Sequence, residues 1–396
     1  MFKVLLRLLI HAMIEIHSKL PSQGVTIFSV MSALAQKLNA LNLSQGFPDF
    51  PAPAALLEAL SQATLNGHNQ YASGDGLFNL RALLAQQFLK RDHIQLDPLQ
   101  EITVTPGATI GIFSAIQATV HAGDEVIIFD PSYDSYAPSV QLVGAKAIHI
   151  PLQVPHFHVD WDLVKQAINE KTRMVIVNTP HNPTGSSWSK QDWYNLIDLI
   201  QDKNIIVLSD EVYEHLIYDG QQHYSALSFP ELRHRSFVVG SFGKTFHVTG
   251  WKTGYCIAAP ELMTVFRQIY QFANFCGVTP IQIALAQFMQ EHPEHIDELA
   301  NFYQNKRDLF NQGIQKSRFL FTPSQGTYFQ NLDYSQIKPE LNDVDMCQYL
   351  AEQHGIVAIP VSVFYQKPPS NLKMIRFCFA KKDETLIQAG KILSQI

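Results

Sequence analysis

The sequence predicts an α/β fold with a large sheet domain and a smaller α+β domain, and three observations lead to this prediction. Short apolar runs rich in β-branched residues alternate with amphipathic stretches along residues 102–209. Each run is followed by polar residues or by residues that are common in turns. The pattern changes near residue 290, and a chain of 396 residues is longer than one hydrophobic core normally supports.

The apolar runs are predicted to be buried parallel strands, and the amphipathic stretches between them are predicted to be covering helices. Ligands of such sheets bind beyond the carboxyl ends of the strands. One residue that could take part in binding or catalysis follows each of the four runs, and we expect these residues to lie close together in space. They are Gly107, Tyr133, Asn182 and Asp210. The predicted strands are 102–105, 125–129, 173–178 and 205–209, and the predicted helices include 161–170 and 189–202.

A different region begins near residue 291 with a long polar helical stretch. Two later segments, 326–329 and 374–379, are predicted to be strands of the smaller domain. No repeat or low-complexity linker separates the two regions, so we expect close packing between them. The predicted division is an N-terminal arm that belongs with the small domain (1–45), a large domain (46–290) and a small C-terminal domain (291–396).

Composition and charge exclude several classes of protein. The net charge is −6 and no block of basic residues occurs, so nucleic acid is not an expected partner. The apolar run in residues 1–13 is short and broken by Arg7, so no membrane partner is expected; we expect it to be non-structural, with translation starting at Met13. The cysteines are scattered, which favours a cytoplasmic protein without a metal site. They are Cys256, Cys276, Cys347 and Cys378.

The most informative segment is 241–252, Ser-Phe-Gly-Lys-Thr-Phe-His-Val-Thr-Gly-Trp-Lys. Its hydroxyl, Ser241, and its two cations, Lys244 and Lys252, are spaced to hold pyridoxal 5'-phosphate. A lysine that condenses with an aldehyde reacts as the neutral amine, so we expect Lys244 to lie where its pKa is depressed. Lys252 taken alone is typical of a solvated surface residue.

Other segments supply the remaining parts of such a site. Gly107, Ala108 and Thr109 follow a strand and open a helix, where backbone amides can take up a phosphate, although glycine at a turn often serves only an unusual backbone angle. Asp210 can partner a pyridinium nitrogen, or it can cap a helix. Tyr213 and Asn182 can share the phenolate oxygen of the ring. Tyr133 can stack on the ring, or simply pack.

The order of these residues resembles that of the fold type I pyridoxal-phosphate enzymes, specifically the class I and II aminotransferases. The resemblance is carried by segments 44–50, 178–183, 241–252 and 375–379 and covers the chain from about residue 20. It implies a seven-stranded, mixed but mostly parallel sheet, pyridoxal 5'-phosphate as cofactor and a ping-pong exchange of an amino group between an L-amino acid and a 2-oxo acid. Lys244 is then the catalytic base, assisted by Asp210 and Tyr213.

The same resemblance implies a homodimer with shared active sites. Tyr71 matches a tyrosine that reaches the phosphate bound in the neighbouring subunit. Arg376 matches an arginine that binds the substrate α-carboxylate, a role that suits a planar guanidinium because it can donate two parallel hydrogen bonds. Gly46 would add a backbone amide to that carboxylate. Phe28 falls where an aromatic residue contacts the substrate side chain. Neutral apolar, sulfur-containing or aromatic donors are expected, with methionine favoured.

Alternatives remain at this point. A carbon–sulfur β-lyase uses the same lysine, aspartate and arginine but eliminates the side chain of its substrate, and a kynurenine/glutamine-type transaminase shares segment 44–50 and the Gly-Trp-Lys motif. A cofactor-binding regulator fused to a DNA-binding domain is disfavoured because no basic helix-turn-helix segment is found. A nicotinamide dehydrogenase is disfavoured because no GxGxxG follows a strand.

Overall fold

The computed structural model describes residues 17–21 and 24–396, so the expectations for residues 1–13 lie outside the described residues. The strands are β1 (Leu41–Asn42), β2 (Ile102–Thr105), β3 (Glu125–Asp130), β4 (Lys146–Pro151), β5 (Thr172–Asn178), β6 (Ile206–Asp210), β7 (Ser236–Ser241), β8 (Gly254–Ala258), β9 (Phe329–Asp333), β10 (Ile356–Val357), β11 (Ile359–Pro360) and β12 (Met374–Cys378). The first helices are α1 (Ile27–Leu38), α2 (Ala54–Leu65), α3 (Phe78–Asp92), α4 (Ala108–Thr119), α5 (Tyr136–Leu142), α6 (Trp161–Ala167) and α7 (Lys190–Ile200). The later ones are α8 (Pro230–Arg233), α9 (Phe242–Thr245), α10 (Pro260–Ala273), α11 (Thr279–Glu291), α12 (Glu294–Ile314), α13 (Asp343–His354) and α14 (Asp383–Leu393).

Seven strands form the main sheet, in the order β2-β8-β7-β6-β5-β3-β4. The pairs among β7, β6, β5, β3 and β4 are parallel, whereas β8 is antiparallel to both of its neighbours. The predicted mixed, mostly parallel α/β sheet is therefore confirmed. One detail was wrong: segment 102–105 was expected to pair as a parallel strand, but among residues 17–21 and 24–396 its only ladder is with antiparallel β8. The chain places β8 between β2 and β7, which themselves run in the same direction.

Helices cover both faces of this sheet, which explains why its strands are continuous apolar runs rather than alternating ones. On one face, α4 and α10 contribute Ile112, Ala115 and Phe266 to a core with β3, β5 and β7. On the other face, helices such as α3, α7 and α11 contribute Leu84, Trp193 and Leu285, among others. Helix α7 begins with a capping box, in which Ser189 and Asp192 exchange hydrogen bonds with each other's backbone N–H groups.

A second assembly joins the two ends of the described chain. Strand β1 pairs parallel with β10, and β11, β12 and β9 form an antiparallel sheet. Helices α12 and α14 approach closely where Gly313 faces Gly390, since a Cβ at Gly313 would lie 3.0 Å from the Gly390 Cα atom. This arrangement agrees with an α+β region that includes the N-terminal arm, while the boundaries at 45 and 290 stay a prediction.

The strand predicted at 326–329 was wrong in its start. Gly326 forms only an isolated bridge to Ile217, and the strand begins at Phe329. Thr327 has a φ of 65°, which interrupts the extended backbone. The interruption turns the following tyrosine, Tyr328, toward the main sheet, where it contacts the lysine of segment 241–252.

The described residues, 17–21 and 24–396, include no helix that combines the length and the apolar character needed to span a bilayer.

Candidate active site

A cavity of about 190 Å³ lies at the carboxyl ends of the strands of the main sheet. Side chains from the ends of several strands face it because the carboxyl ends of parallel strands meet at one edge. Ten of the eleven residues predicted to hold the cofactor line this cavity, and only Tyr71 does not. The ten are Gly107, Ala108, Thr109, Tyr133, Asn182, Asp210, Tyr213, Ser241, Lys244 and Lys252.

The start of α4 forms one end of the cavity. Gly107 has a φ of 76°, a conformation that strains any residue with a Cβ atom. A Cβ there would lie 3.4 Å from the Nζ atom of Lys252, so the glycine keeps this cation close to the backbone. Unpaired N–H groups in the first turn of a helix and a nearby cation together favour a dianion. Thr109 lies beside them, with its hydroxyl 3.4 Å from that of Tyr133.

Lys244 lies on the short helix α9, directly after β7. Burial is the largest influence on this amine and lowers its pKa to about 8, and the nearby cations Lys252 and Arg376 act in the same direction. The Nζ atom donates a hydrogen bond to the hydroxyl of Tyr328 at 2.7 Å. The expectation of a depressed lysine pKa agrees with this environment.

Asp210 is the last residue of β6 and lines the cavity. Burial raises its pKa to about 6, although hydrogen bonds from Tyr136 and from the backbone of Val212 act against that rise. The Tyr136 hydroxyl donates to Asp210 Oδ2 at 2.6 Å. A buried carboxylate beside an open cavity is suited to a cationic partner.

Asn182 connects the cavity to Arg376. Its side-chain oxygen accepts a hydrogen bond from an Arg376 terminal nitrogen at 2.6 Å. Arg376 is 1% exposed, and its Nε and other terminal nitrogen have no hydrogen-bond partner among the described residues. Burial lowers its pKa to about 10, a value at which the guanidinium stays charged at neutral pH. A buried cation with free donors on one edge is suited to a carboxylate ligand.

Aromatic rings surround this guanidinium. Its Cζ atom lies 3.9 Å from the ring centre of Phe329, 5.0 Å from that of Phe364 and 5.6 Å from that of Phe28. Phe28 is therefore close to Arg376, and its predicted contact with the substrate side chain stays a prediction. The surrounding rings remove water from the cation and attract it through their faces.

Gly46 and Tyr71 differ in their relation to the cavity. The Gly46 carbonyl oxygen lies 3.4 Å from the Lys244 Nζ atom, so this segment does reach the site. Tyr71 is 83% exposed and contacts Phe275 edge to face, with ring centres 5.3 Å apart. Its predicted role in a neighbouring subunit stays a prediction.

Sequence analysis missed two tyrosines of the site, Tyr136 and Tyr328. Tyr136 lies three residues after Tyr133, in the first turn of α5, and so it follows a strand that had been identified. That spacing is a signal that could have found it. Tyr328 had been assigned only to a strand, and 84 residues separate it from Lys244. No local pattern joins two such distant positions.

Three buried side chains outside the cavity also cluster. Glu211, Glu214 and His223 place possible ligand atoms within 4.8 Å of one another. Arg91 already lies 2.7 Å from Glu214 and supplies a positive charge there. The expectation that the protein has no metal site stays a prediction.

The sequence profile of the family "Aminotransferase class I and II" matches residues 39–390. The chain belongs to the class I and II aminotransferases. Members of this family use pyridoxal 5'-phosphate. The described residues fit that group: Lys252 and the Gly107 turn suit a phosphate, the buried Asp210 suits a ring cation, and Lys244 supplies an amine.

The sequence of this aminotransferase is similar to those of three related proteins. It is 47% identical to methionine aminotransferase from Escherichia coli over 96% of this chain and 98% of the other. It is 34% identical to human kynurenine–oxoglutarate transaminase 3 over 91% of this chain and 86% of the other. It is 34% identical to a probable N-succinyldiaminopimelate aminotransferase from Mycobacterium tuberculosis over 95% and 97%.

Solved structures agree with the fold of this aminotransferase. A structure that identifies a methionine aminotransferase function in Escherichia coli superposes with a TM-score of 0.95 at 47% identity and covers 97% of this chain and 100% of the other. N-succinyldiaminopimelate aminotransferase from Mycobacterium tuberculosis superposes with a TM-score of 0.91 at 34% identity and covers 96% and 100%. The predicted fold type I architecture is thus confirmed.

Proposed function

We propose that this aminotransferase moves the amino group of a neutral L-amino acid, with methionine as the favoured donor, to a 2-oxo acid. The observation that carries the proposal is the buried guanidinium of Arg376, which has free donors and aromatic rings around it beside the Lys244 cavity. A carboxylate bound there brings an α-amino group toward the lysine. The 47% identity to methionine aminotransferase supports the choice of donor.

The cavity residues would hold pyridoxal 5'-phosphate in two places. Backbone amides of Gly107, Ala108 and Thr109, the Ser241 hydroxyl and the Lys252 ammonium bind the phosphate. At the ring, Asp210 would keep a proton on the nitrogen, and Asn182 and Tyr213 would donate hydrogen bonds to the phenolate oxygen. Tyr133 would pack against the ring. Tyr136 holds Asp210 in place through its 2.6 Å hydrogen bond.

When bound, pyridoxal 5'-phosphate would supply an aldehyde for the amine and an acceptor for the electron pair left at the substrate Cα. Lys244 supplies the base. Its neutral amine would take the proton from the substrate Cα and return it to the cofactor carbon that is bonded to the amino nitrogen. A pKa near 8 keeps an appreciable neutral fraction at neutral pH. The exchange is of the ping-pong type because the first 2-oxo acid leaves before the second one binds.

The substrate is oriented by its carboxylate. Arg376 binds both carboxylate oxygens, and the Gly46 amide assists at the same group. Phe28, Phe329 and Phe364 then present apolar surface near the bound amino acid. Such a surface favours a flexible thioether or an aromatic side chain over a charged one, because it would strip water from a charge without pairing it.

The proposal includes a homodimer located in the cytoplasm. Tyr71 and Phe275 are both exposed in the single chain, and their paired rings form a surface that a second copy would cover. In that dimer Tyr71 donates a hydrogen bond to the phosphate held by the neighbouring subunit. The cytoplasmic location rests on the scattered cysteines of the sequence.

The direct test is a single half-reaction. L-methionine is added without any 2-oxo acid to the purified protein loaded with pyridoxal 5'-phosphate. We expect the visible absorption band of the cofactor to convert to that of the pyridoxamine form, with one equivalent of 4-methylthio-2-oxobutanoate per site. A persistent band would exclude methionine as donor. Release of pyruvate and a thiol from an amino acid with sulfur on its β carbon would instead indicate the β-lyase chemistry.

A further inference from the structure

Lys244 takes part in a chain of hydrogen bonds that the aminotransferase proposal does not use. Its Nζ atom lies 2.7 Å from the Tyr328 hydroxyl, and that hydroxyl lies 2.5 Å from the Gly46 carbonyl oxygen. The direct distance from Nζ to the carbonyl is longer, at 3.4 Å. Tyr328 therefore stands between the lysine and the segment that meets the substrate carboxylate.

The direction of these hydrogen bonds follows from the atoms present. A carbonyl oxygen only accepts, so the single hydrogen of the Tyr328 hydroxyl points to Gly46. The lone pairs of the same hydroxyl oxygen then face Lys244, and Nζ is the donor. Burial raises the pKa of Tyr328 well above its usual value, so the hydroxyl keeps its hydrogen throughout the neutral range. This fixed polarity suits the hydroxyl to accept from an amine or an ammonium alike.

The tyrosine is rigid, whereas the lysine is not. Tyr328 is 0% exposed, and its ring centre lies 4.9 Å from that of Phe329, 5.1 Å from that of Tyr213 and 5.8 Å from that of Tyr303. Its backbone carbonyl accepts a hydrogen bond from Phe379 at 2.9 Å. A lysine has a flexible stem of four carbons and, once free of the cofactor, needs an external contact to fix its amine.

We propose that Tyr328 is a positioning residue that holds the free amine of Lys244 beside the substrate Cα during transamination. The inference rests on the proposed function, since it concerns the step in which Lys244 is the base. Tyr328 gains and loses no proton in that step. Its hydroxyl oxygen accepts a hydrogen bond from Nζ before and after the amine takes the Cα proton, so the amine stays within reach for the return transfer.

The test compares two tyrosine-to-phenylalanine variants. Tyr328→Phe keeps the packed ring and removes the hydroxyl. Tyr303→Phe is the matched control, because its ring contacts Tyr328 and its buried hydroxyl has no hydrogen-bond partner among the described residues. We expect Tyr328→Phe to lower kcat about 10-fold to 100-fold, as for a misplaced catalytic group, with the KM for the amino donor little changed. The control keeps the kcat of the natural protein.

A second readout does not depend on turnover. In protein loaded with pyridoxamine 5'-phosphate Lys244 is free, and its pKa is measured by trace acetylation with acetic anhydride across pH and mass spectrometry of its peptide. Loss of the Tyr328 acceptor disfavours the ammonium, so the midpoint falls in Tyr328→Phe and not in Tyr303→Phe. The other titratable groups near Lys244 remain in place in both variants: Asp210, Tyr213, Lys252, Arg376 and Cys378.

The two readouts together decide the proposal. A lower kcat and a lower midpoint, both confined to Tyr328→Phe, support it. An unchanged midpoint overturns it, whether or not kcat falls, since the hydroxyl then does not contact the free amine. If the natural protein transaminates no amino acid, the proposed function fails, but the acetylation comparison still tests the contact between Tyr328 and Lys244.

Discussion

The two ends of the candidate site are built differently. At the cavity end, two central polar groups already have partners: Asp210 accepts from Tyr136, and Lys244 donates to Tyr328. At the other end, Arg376 has one hydrogen bond, to Asn182, and two nitrogens without partners among the described residues. The cavity end therefore suits a group that stays bound, whereas the Arg376 end suits a carboxylate that comes and goes with each half-reaction.

The two ends of the site also come from different parts of the sequence. The cavity end comes from turns after consecutive strands of one sheet, so its residues follow one another in short motifs. The Arg376 end joins Phe28, Phe329 and Arg376, which lie near opposite ends of the chain. The cavity end can thus keep its cofactor while the Arg376 end, which binds the amino donor, differs between relatives. Variants at each end test this division.

The largest effect is expected at Lys244. Lys244→Ala removes the base, so we expect a loss of up to about 10⁴-fold in the rate of transamination. The fold should survive, because the alanine fits the buried space without a new charge. Activity assays and far-ultraviolet circular dichroism measure the two outcomes, and Lys190→Ala at an exposed position is the control. Near-natural turnover in Lys244→Ala would refute the assignment of the base.

A second effect concerns the charge at the floor of the cavity. The folded-state pKa of Asp210 is raised from 3.8 to about 6, so ionisation costs stability as the pH rises through this range. We expect Asp210→Asn to raise the free energy of unfolding of the cofactor-free protein by about 3 kcal/mol near neutral pH, and to change it little below about pH 4. The same variant should lose transaminase activity, since the ring nitrogen loses its carboxylate partner.

Urea unfolding of the cofactor-free protein at the two pH values measures this difference. Asp202→Asn, at an exposed position, is the control and should leave both values unchanged. If Asp210→Asn lowered the stability equally at both pH values, the buried charge would not be the cause, and the comparison between the two ends would lose its electrostatic basis.

The smallest of these effects is expected at the carboxylate end. Arg376→Lys keeps the charge but loses the planar fork, so we expect kcat/KM for the amino donor to fall about 10-fold to 100-fold. Most of the change should lie in KM, and binding of a monocarboxylate inhibitor with an apolar side chain should weaken in parallel. Cofactor affinity should stay unchanged. A loss of cofactor instead would show that the two ends do not act separately, and Arg173→Lys provides the control.

Much of the fold and of the cavity could be predicted from local pattern. The four strands and the helices at 161–170 and 189–202 were found within a few residues, since a buried parallel sheet imposes apolar runs and its helices impose a 3.6-residue period. Most of the cavity residues followed because they lie at the carboxyl end of a strand or within a few residues after it, and Lys244 and Lys252 followed from the 241–252 segment. The antiparallel pairing of segment 102–105 could not be found this way, because pairing partners depend on topology rather than on local sequence.

The sequence by itself determined the α/β class, the family resemblance and the identity of the cavity residues, because these depend on short motifs and strand ends. Only the tertiary structure brought Tyr328 to Lys244, Tyr136 to Asp210 and Phe329 to Arg376. Such contacts join residues far apart in the chain, and the packing of whole helices and sheets sets their distances. The structure also decided which buried groups have partners, and so which end of the site can receive a new ligand.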